Sequence, residues 1–320
     1  MPAFKRILRF SLAAAAALTV VLVAVSSCCA DNGSRIAFVR RCGDESWIYT
    51  ADADGSNVLR AAAGYDPEIS PDGRRIAYTH EDANGLRRIA IFKQTSRKSS
   101  FVAEAAGNES YGPRWSHDGT RLLFNSCTPK GRWQPVIYDM ATGRRCAAKP
   151  PASWQIGYSL FWSSNDETFY AQDLKGLCCF NATTGRPIKE YSFGSLFSRH
   201  NAVITCFSRF CAPKSGRTWL VCCEDGKTLC RQCAAYAGSG HKGILCLYRP
   251  AAGTLVRIPL KNLCVMDACW LNADKAIFSA HRTDTRPNQQ TTGSDLYTID
   301  LRTKRVSLLL SNGCCVSASR

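Results

Sequence analysis

The chain has 320 residues, 41 Lys and Arg against 25 Asp and Glu, and a formal net charge of +16. This length is sufficient for one domain with a sizeable core. The basic balance favours anionic neighbours such as lipid headgroups, acidic glycans or acidic proteins, although dispersed cations can also serve solubility alone. Nucleic acid is the other usual partner of a basic protein, but the export expected from the N-terminus argues against it, so we expect no nucleic-acid partner.

The N-terminus reads as a targeting segment rather than as part of the fold. Three cations precede residues 11–25, which carry no charge and are too few for a permanent transmembrane helix. Val25-Ser26-Ser27-Cys28 then resembles a bacterial lipobox, and ordinary secretory cleavage after Ala30 is the alternative. We therefore predict that residues 1–27 are a signal peptide and that Cys28 is lipidated. The domain, residues 28–320, would lie in the bacterial periplasm or on the envelope, anchored without spanning the membrane.

An internal repeat follows the signal peptide. Its copies share one plan of strand, tight turn and second strand, and they lie at 66–78, 112–124, 160–170 and 268–278, with a degenerate copy at 205–207 that resumes at Arg217. In the turn of the first copy, Pro71 fixes φ and Gly73 supplies a positive φ. A third and a fourth strand complete each repeat. Four short antiparallel strands per repeat are typical of a β-propeller blade.

The spacing of the repeats predicts how the ring closes. The apolar residue of each first strand falls, at intervals of 46, 47, 45 and 63 residues, on Ile69, Trp115, Trp162, Phe207 and Trp270. One more step of 46 reaches Val316, where the chain stops after a single strand. Residues 33–64 contain strands two to four of a blade without a first strand. We therefore predict an all-β, six-bladed propeller of four-stranded antiparallel blades, closed by the C-terminal strand pairing in the N-terminal blade.

These motifs resemble the TolB-type, WD-like propeller repeat. Its Ser-Pro-Asp-Gly turn is matched at Ser70-Pro71-Asp72-Gly73 and nearly at Ser116-His117-Asp118-Gly119, and its turn between the third and fourth strands is approximated by Asp52-Ala53-Asp54-Gly55. The resemblance extends from residue 33 to the end of the chain. We expect this sequence to lack the N-terminal α/β domain that precedes the propeller in the TolB protein. It implies the fold strongly, whereas a role like that of TolB is only an analogy.

The 18 cysteines are the most unusual part of the composition. We expect adjacent pairs such as Cys314-Cys315 to point to opposite faces of a strand. Blade five carries a cysteine-rich insert, residues 222–246, for which three states stay open. Cys222 and Cys246 could form a disulfide across neighbouring strands; Cys230, Cys233 and His241 could bind zinc; or the thiols could be unpaired. No other cofactor is indicated.

The loops between second and third strands share one face with the blade-to-blade connections. The insert should therefore overhang a candidate ligand face that includes Tyr65, Asp66, Tyr111, Tyr158, Arg199, His200 and His281. Packing at blade junctions is the alternative role for the tyrosines and Asp66.

The sequence contains no catalytic motif. There is no Gly-x-Ser-x-Gly and no paired-histidine motif, and His117, in the proline place of its turn, is expected to be solvated. His80, His200 and His281, each in a separate blade, could still converge as metal ligands.

The function predicted from these features is a monomeric, non-catalytic binding scaffold for an envelope protein or a cell-wall glycan, either of which could be anionic. Contact with the membrane would be through the lipid anchor only. The alternatives are a propeller lyase or hydrolase with a metal or catalytic site at the channel mouth, and a purely structural envelope protein.

Overall fold

The structure is a computed structural model, and it describes residues 33–102, 109–152, 154, 158–197, 200–214, 216–230, 240–284 and 293–319. The predicted signal peptide and Cys28 lie outside the described residues, as do Arg199 and Cys233. None of the described helices is long and apolar enough to cross a membrane. The domain, Ser34–Arg320, consists of six antiparallel sheets arranged as the blades of a propeller.

The first three blades follow one another in chain order. Blade 1 contains β1 (Arg35–Cys42), β2 (Glu45–Asp52) and β3 (Leu59–Ala63); blade 2 contains β4 (Tyr65–Ile69), β5 (Arg75–Glu81), β6 (Arg87–Lys93) and β7 (Lys98–Phe101); blade 3 contains β8 (Ser110–Trp115), β9 (Arg121–Cys127), β10 (Trp133–Asp139) and β11 (Arg145–Ala147).

The remaining blades include one short helix. Blade 4 contains β12 (Leu160–Trp162), β13 (Thr168–Gln172), β14 (Gly176–Asn181) and β15 (Pro187–Ser192), followed by α1 (Phe193–Phe197); blade 5 contains β16 (Ala202–Val203), β17 (Arg209–Cys211), β18 (Trp219–Leu229), β19 (His241–Arg249) and β20 (Thr254–Arg257); blade 6 contains β21 (Leu263–Trp270), β22 (Lys275–Arg282), β23 (Asp295–Asp300) and β24 (Val306–Leu310); and β25 (Cys314–Ala318) pairs in blade 1.

Ring closure through the C-terminal strand is confirmed. Strand β25 pairs antiparallel with β1, with Ile36 opposite Ala318 and Ala37 opposite Ser317. Beyond the strand, the Ser319 N–H donates to the Arg35 carbonyl at 2.8 Å, and the Arg35 N–H donates to the Ser319 hydroxyl oxygen at 2.7 Å. The inner edge of blade 1 is therefore fully paired, which removes an edge that could join another chain.

The core lies between the blades. Among the described residues, six large clusters of buried apolar residues lie one at each interface between consecutive blades, and a small seventh consists of Cys230 and Cys264. Successive side chains of one strand serve different clusters: in β1, Ile36 and Phe38 pack toward blade 6, whereas Ala37 and Val39 pack toward blade 2. This alternation with period two, buried on both faces, explains why each second strand is a continuous apolar run.

Tryptophans at the ends of the first strands fix the spacing between blades. The indole N–H of Trp115 donates to the Glu68 carbonyl of blade 2 at 3.0 Å, and that of Trp162 donates to the Arg114 carbonyl of blade 3 at 3.0 Å. Trp270 makes the corresponding bond to the Cys211 carbonyl at 3.0 Å. Each buried indole therefore satisfies its polar atom on the preceding blade.

Blade 5 departs from the sequence prediction. Its inner strand is split, because β16 and β17 both pair with β18. Phe207 was placed by spacing in the first strand, but it lies in a turn with 49% of its surface exposed. Cys211 and Ala212 instead occupy the inner-strand position, as the hydrogen bond from Trp270 shows. The interval of 45 residues between Trp162 and Phe207 matches the length of a repeat by coincidence, and it does not mark the first strand of blade 5.

His117 is buried rather than solvated, with a side-chain exposure of 7%. Its Nδ1 lies 2.7 Å from Asp166 Oδ1 of blade 4, and its Nε2 lies 3.0 Å from the Ala212 carbonyl oxygen of blade 5. The two ring nitrogens thus contact oxygen atoms of two other blades. The side chain in the proline place of this turn therefore ties three blades together.

Candidate functional site

The first strands begin with a bulge that directs side chains toward the central channel. In β4, β8 and β25 the register shifts near the start of the strand. The bulge residue has a positive φ each time: 51° at Asp66, 67° at Gly112 and 52° at Cys315. Glycine adopts this geometry freely, whereas Asp66 and Cys315 adopt it at a cost of roughly 1 kcal/mol or more each. Bulges of this kind are common beside functional sites.

An aromatic and arginine cluster lies on the face where the first strands begin, which we call the entry face. The Arg87 guanidinium stands 4.9 Å from the ring centre of Tyr111 and 5.2 Å from that of Trp133, and those two rings meet edge to face at 4.9 Å. Arg87 also pairs with Glu109 at 2.9 Å, and the Tyr65 hydroxyl donates to Glu81 at 2.9 Å. We call these six residues the entry-face cluster.

The two tyrosines of this cluster stay neutral over the physiological pH range. Burial is the largest cause that raises the pKa of Tyr65, followed by its hydrogen bond to Glu81. Burial also raises the pKa of Tyr111. Both hydroxyls therefore keep their protons and can donate hydrogen bonds, and the rings remain apolar surfaces for a ligand.

The other residues predicted for this face lie in different surroundings. Asp66 and Tyr158 are close enough to Tyr111 to influence its pKa. The His200 carbonyl accepts a hydrogen bond from Arg257 at 3.0 Å within blade 5. His281 is 9% exposed, and its pKa is lowered mainly by burial, while the backbone at Gly293 and the charge of Asp295 act in the opposite direction.

The histidines considered as metal ligands have separate neighbours. His80 packs against the Phe101 ring at 5.3 Å within blade 2, whereas His200 and His281 belong to blades 5 and 6. Within the described ranges, no group of three or more His, Cys, Asp or Glu side chains is arranged to hold a metal ion.

A cavity of about 390 Å³ occupies the central channel. Of the predicted face residues that the structure describes, Asp66 alone lines it. The cavity extends from the level of Asp66 to the opposite face, where the turns after the first strands contribute Pro71, His117, Lys214 and Asn272. The sequence analysis placed the ligand at the entry face, whereas the enclosed volume lies inside the ring and reaches the other end.

Six charged side chains among the described residues line this cavity: Asp66, Glu68, Arg114, Arg209, Lys214 and Asp267. The guanidinium of Arg114 pairs with Glu68 at 3.4 Å. Burial is the main influence on Asp267 and raises its pKa, although the charges of Arg209 and Arg114 oppose the shift. Arginines and acids thus share one low-dielectric space, where each charge acts strongly on a ligand.

The cysteines of blade 5 pair differently from the prediction. The sulfur of Cys246 lies 3.9 Å from that of Cys223. Cys222 faces the cluster shared with blade 6, whereas Cys223 and Cys246 face blade 4. In the register, Val221 and not Cys222 lies opposite Cys246, and side chains alternate along a strand. Cys223, one position beyond Cys222, is therefore the residue whose sulfur lies near that of Cys246, and the three states left open for the insert stay predictions.

The proposed zinc ligands are described only in part, because Cys233 lies outside the described residues. Cys230 packs against Cys264, and His241 is opposite Leu229 in the strand register.

The adjacent Cys314 and Cys315 do not point to opposite faces. The Cys315 thiol hydrogen-bonds to Cys314, which is the main reason that the pKa of Cys314 is lowered. The positive φ of Cys315 breaks the alternation on which the expectation rested.

Sequence reasoning missed Arg87 and Trp133 in the entry-face cluster, and Arg114, Arg209 and Asp267 in the cavity. Arg114 and Asp267 directly flank apolar residues of the recognised first strands, so their charge was a usable signal. Arg209 was not recognised because the sequence analysis placed the first strand of blade 5 at residues 205–207, before Arg209.

Comparisons with known proteins support the fold alone. No family model matches the sequence, and no curated protein matches it significantly. Among solved structures, TolB from Acinetobacter baumannii has 14% identity and a TM-score of 0.63, covering 89% of this chain and 66% of that chain. A TolB candidate from Agrobacterium tumefaciens has 11% identity and a TM-score of 0.55, covering 88% and 89% of the two chains. A chain of a nidogen–laminin complex has 7% identity and a TM-score of 0.59, covering 90% and 99%.

These similarities define the class of protein. The chain is a six-bladed β-propeller, and its resemblance to TolB-type propellers is confirmed at the level of the fold. It spans just under two thirds of the Acinetobacter TolB chain.

Proposed function

We propose that this protein is an exported, lipid-anchored binding scaffold of the bacterial cell envelope, which holds a protein or a cell-wall glycan on its entry face. The observation that carries the proposal is the entry-face cluster. Tyr, Trp and Arg are the residues that contribute most often to binding hot spots, because they offer large rigid surfaces together with polar groups. Here they occur side by side, with Arg87 held against two rings.

The architecture supports a rigid platform rather than a catalytic cleft. In blade 3, Tyr111 lies on β8 and Trp133 lies on β10, the two strands on either side of β9, and Arg87 comes from blade 2. A partner that contacts all three bridges two blades of a closed ring, which needs little reordering on binding. The net charge of +16 would favour an acidic protein or an anionic glycan and would speed its encounter.

Binding can be measured by co-sedimentation with purified peptidoglycan and by cross-linking in intact cells followed by mass spectrometry. Trp133→Ala and Arg87→Ala should each reduce the bound fraction, with a loss of about 2 kcal/mol, or roughly 30-fold in affinity, for a true hot spot. Arg302→Ala is the matched control, since Arg302 is 77% exposed on a turn of blade 6. Binding by the two cluster variants at the level of the control would overturn the proposal.

The anchor is tested separately. Palmitate labelling should occur in the full-length chain and disappear in Cys28→Ala, and globomycin should cause the uncleaved precursor to accumulate. Labelling that persists in Cys28→Ala would refute the lipid anchor without touching the binding proposal.

A further inference from the structure

The channel cavity contains charged groups that the fold leaves without a counter-charge in contact. The side chain of Arg209 forms no ion pair and no hydrogen bond with any described residue, whereas its backbone pairs with Cys222 in β18. Asp267 accepts one hydrogen bond, from the Ala268 N–H at 2.8 Å. Asp66 accepts a long one from the Thr79 hydroxyl at 3.5 Å. Among the described charged residues of this lining, Glu68 and Arg114 form an ion pair with each other.

These groups are nevertheless near one another. The charges of Arg209 and Asp66 both influence the pKa of Asp267, in opposite directions. Arg209 and Asp267 therefore face the same volume while staying too far apart for a direct ion pair. Burying two opposite charges in a low-dielectric cavity without contact between them costs free energy, unless a polar or charged group binds between them.

The rest of the lining includes polar residues such as Ser116, Ser317 and Asn272, together with a large apolar part. The apolar part is formed by residues at the ends of the first strands, namely Ile69, Trp115, Phe161, Trp162, Trp270 and Val316. The volume of about 390 Å³ falls in the range of small-molecule sites, roughly 300–1,000 Å³. A few placed charges on a largely apolar wall are typical of a site that orients one small ligand.

We infer that the channel binds a small zwitterion with an apolar side chain, such as a free α-amino acid or a short peptide. Its carboxylate pairs with Arg209, whose planar donor fork suits that group. Its ammonium lies between Asp267 and Asp66, and its side chain packs against the tryptophans. This site goes beyond the proposed function, because it uses the interior of the ring and not the entry-face cluster.

Burial of Asp267 agrees with this assignment. Its raised pKa means that the empty cavity disfavours the ionised carboxylate. An ammonium placed beside it would favour ionisation, so the ligand supplies a charge that the folded chain lacks.

The first test uses the wild-type protein and a panel of the twenty L-amino acids with apolar dipeptides, screened by thermal shift and by tryptophan fluorescence. The strongest binder is then compared by calorimetry with two analogues, one without the amino group and one without the carboxylate. We expect each analogue to bind at least tenfold more weakly. The inference is overturned if no panel member binds, or if either analogue binds as well as the zwitterion.

The second test assigns the charges to residues. Arg209→Gln should abolish the preference for the zwitterion over the amine that lacks a carboxylate. Asp267→Asn should abolish the preference over the acid that lacks an amino group. Arg302→Gln, on the surface, is the matched control and should bind as the wild type does. Preferences unchanged in both cavity variants would overturn the assignment, and melting curves will show that the variants are folded.

The two proposals fail independently. Trp133→Ala should leave zwitterion binding intact, whereas Arg209→Gln should leave peptidoglycan or protein binding intact. If Trp133→Ala abolished both, the separation of the two sites would be wrong.

Discussion

Removing the closing strand should destabilise the whole ring as severely as a core mutation. In β25, Val316 is 4% and Ala318 is 7% exposed, and their burial contributes about 3 kcal/mol. The Ser317 hydroxyl accepts from the Ile69 N–H at 3.0 Å, and Ser319 makes two bonds to Arg35. With the ladder to β1, these bonds contribute about 4 kcal/mol more. The total of about 7 kcal/mol is comparable to the whole stability of a typical domain.

Urea unfolding followed by tryptophan fluorescence and by circular dichroism would test this estimate. Deleting residues 314–320 should lower the midpoint drastically or abolish the cooperative transition. Val316→Ala should cost about 2 kcal/mol. The same substitution at Val256, which is 45% exposed on the outer strand β20, should cost about 1 kcal/mol or less. A truncated chain with a near-normal midpoint, or equal effects at the two valines, would refute closure as a source of stability.

Three further predictions concern buried polar groups. His117→Ala should lower the free energy of unfolding by about 2 kcal/mol because it removes the buried contacts to Asp166 and to the Ala212 carbonyl, although Asp166 keeps its hydrogen bond from the Asp118 N–H, whereas His80→Ala should cost less than about 1 kcal/mol; equal losses in urea titrations would contradict this. Under reducing conditions iodoacetamide should modify Cys314 before Cys315, since their hydrogen bond lowers the pKa of Cys314 and raises that of Cys315, and peptide mapping that shows the reverse order would exclude it. Burial holds the pKa of Asp267 in the folded state above its ordinary 3.8. The folded state therefore binds the proton of this carboxyl more tightly than the unfolded state, and the free energy of unfolding falls as the pH rises from 3.8 to the folded-state pKa. Asp267→Asn should therefore melt higher than the wild type at pH 7, and this gain in melting temperature should vanish near pH 3.

The fold could be predicted from sequence because its determinants are local and repeated. The Ser70 hydroxyl accepts from the Arg75 N–H at 2.9 Å, and the Ser116 hydroxyl accepts from the Arg121 N–H at 2.9 Å. These bonds need serine at a fixed distance from a glycine turn, and such a pattern survives in a single sequence. Strand pairing then follows from alternation, because both faces of each blade are buried.

Blade 5 could not be predicted in the same way because its determinants are not local. The turn at Phe207 has the apolar character of a strand, and only the bond from Trp270 to the Cys211 carbonyl marks the true inner strand. That bond joins residues 59 positions apart, and it becomes visible only when blades 5 and 6 are packed. The same limit applies to His117, whose two neighbours lie in other blades.

The candidate sites were the least predictable part, and the reason lies in how a propeller divides its residues. Side chains between blades are constrained by packing, so they carry the repeat signal that revealed the fold. Side chains that face the channel lie outside the apolar clusters between blades, and the repeat therefore does not dictate Glu68, Arg114 or Asp267 at these positions, although Arg114 pairs with Glu68 of the neighbouring blade. Such charges would be too costly to bury in the packed interface between two blades. Their presence in the channel is therefore not explained by the packing of the blades. The positive φ at Asp66 adds strain that the fold does not require, because glycine occupies the equivalent place at Gly112. Strain and uncompensated charge thus coincide in one cavity, which is where a requirement for ligand binding, rather than for stability, would place them.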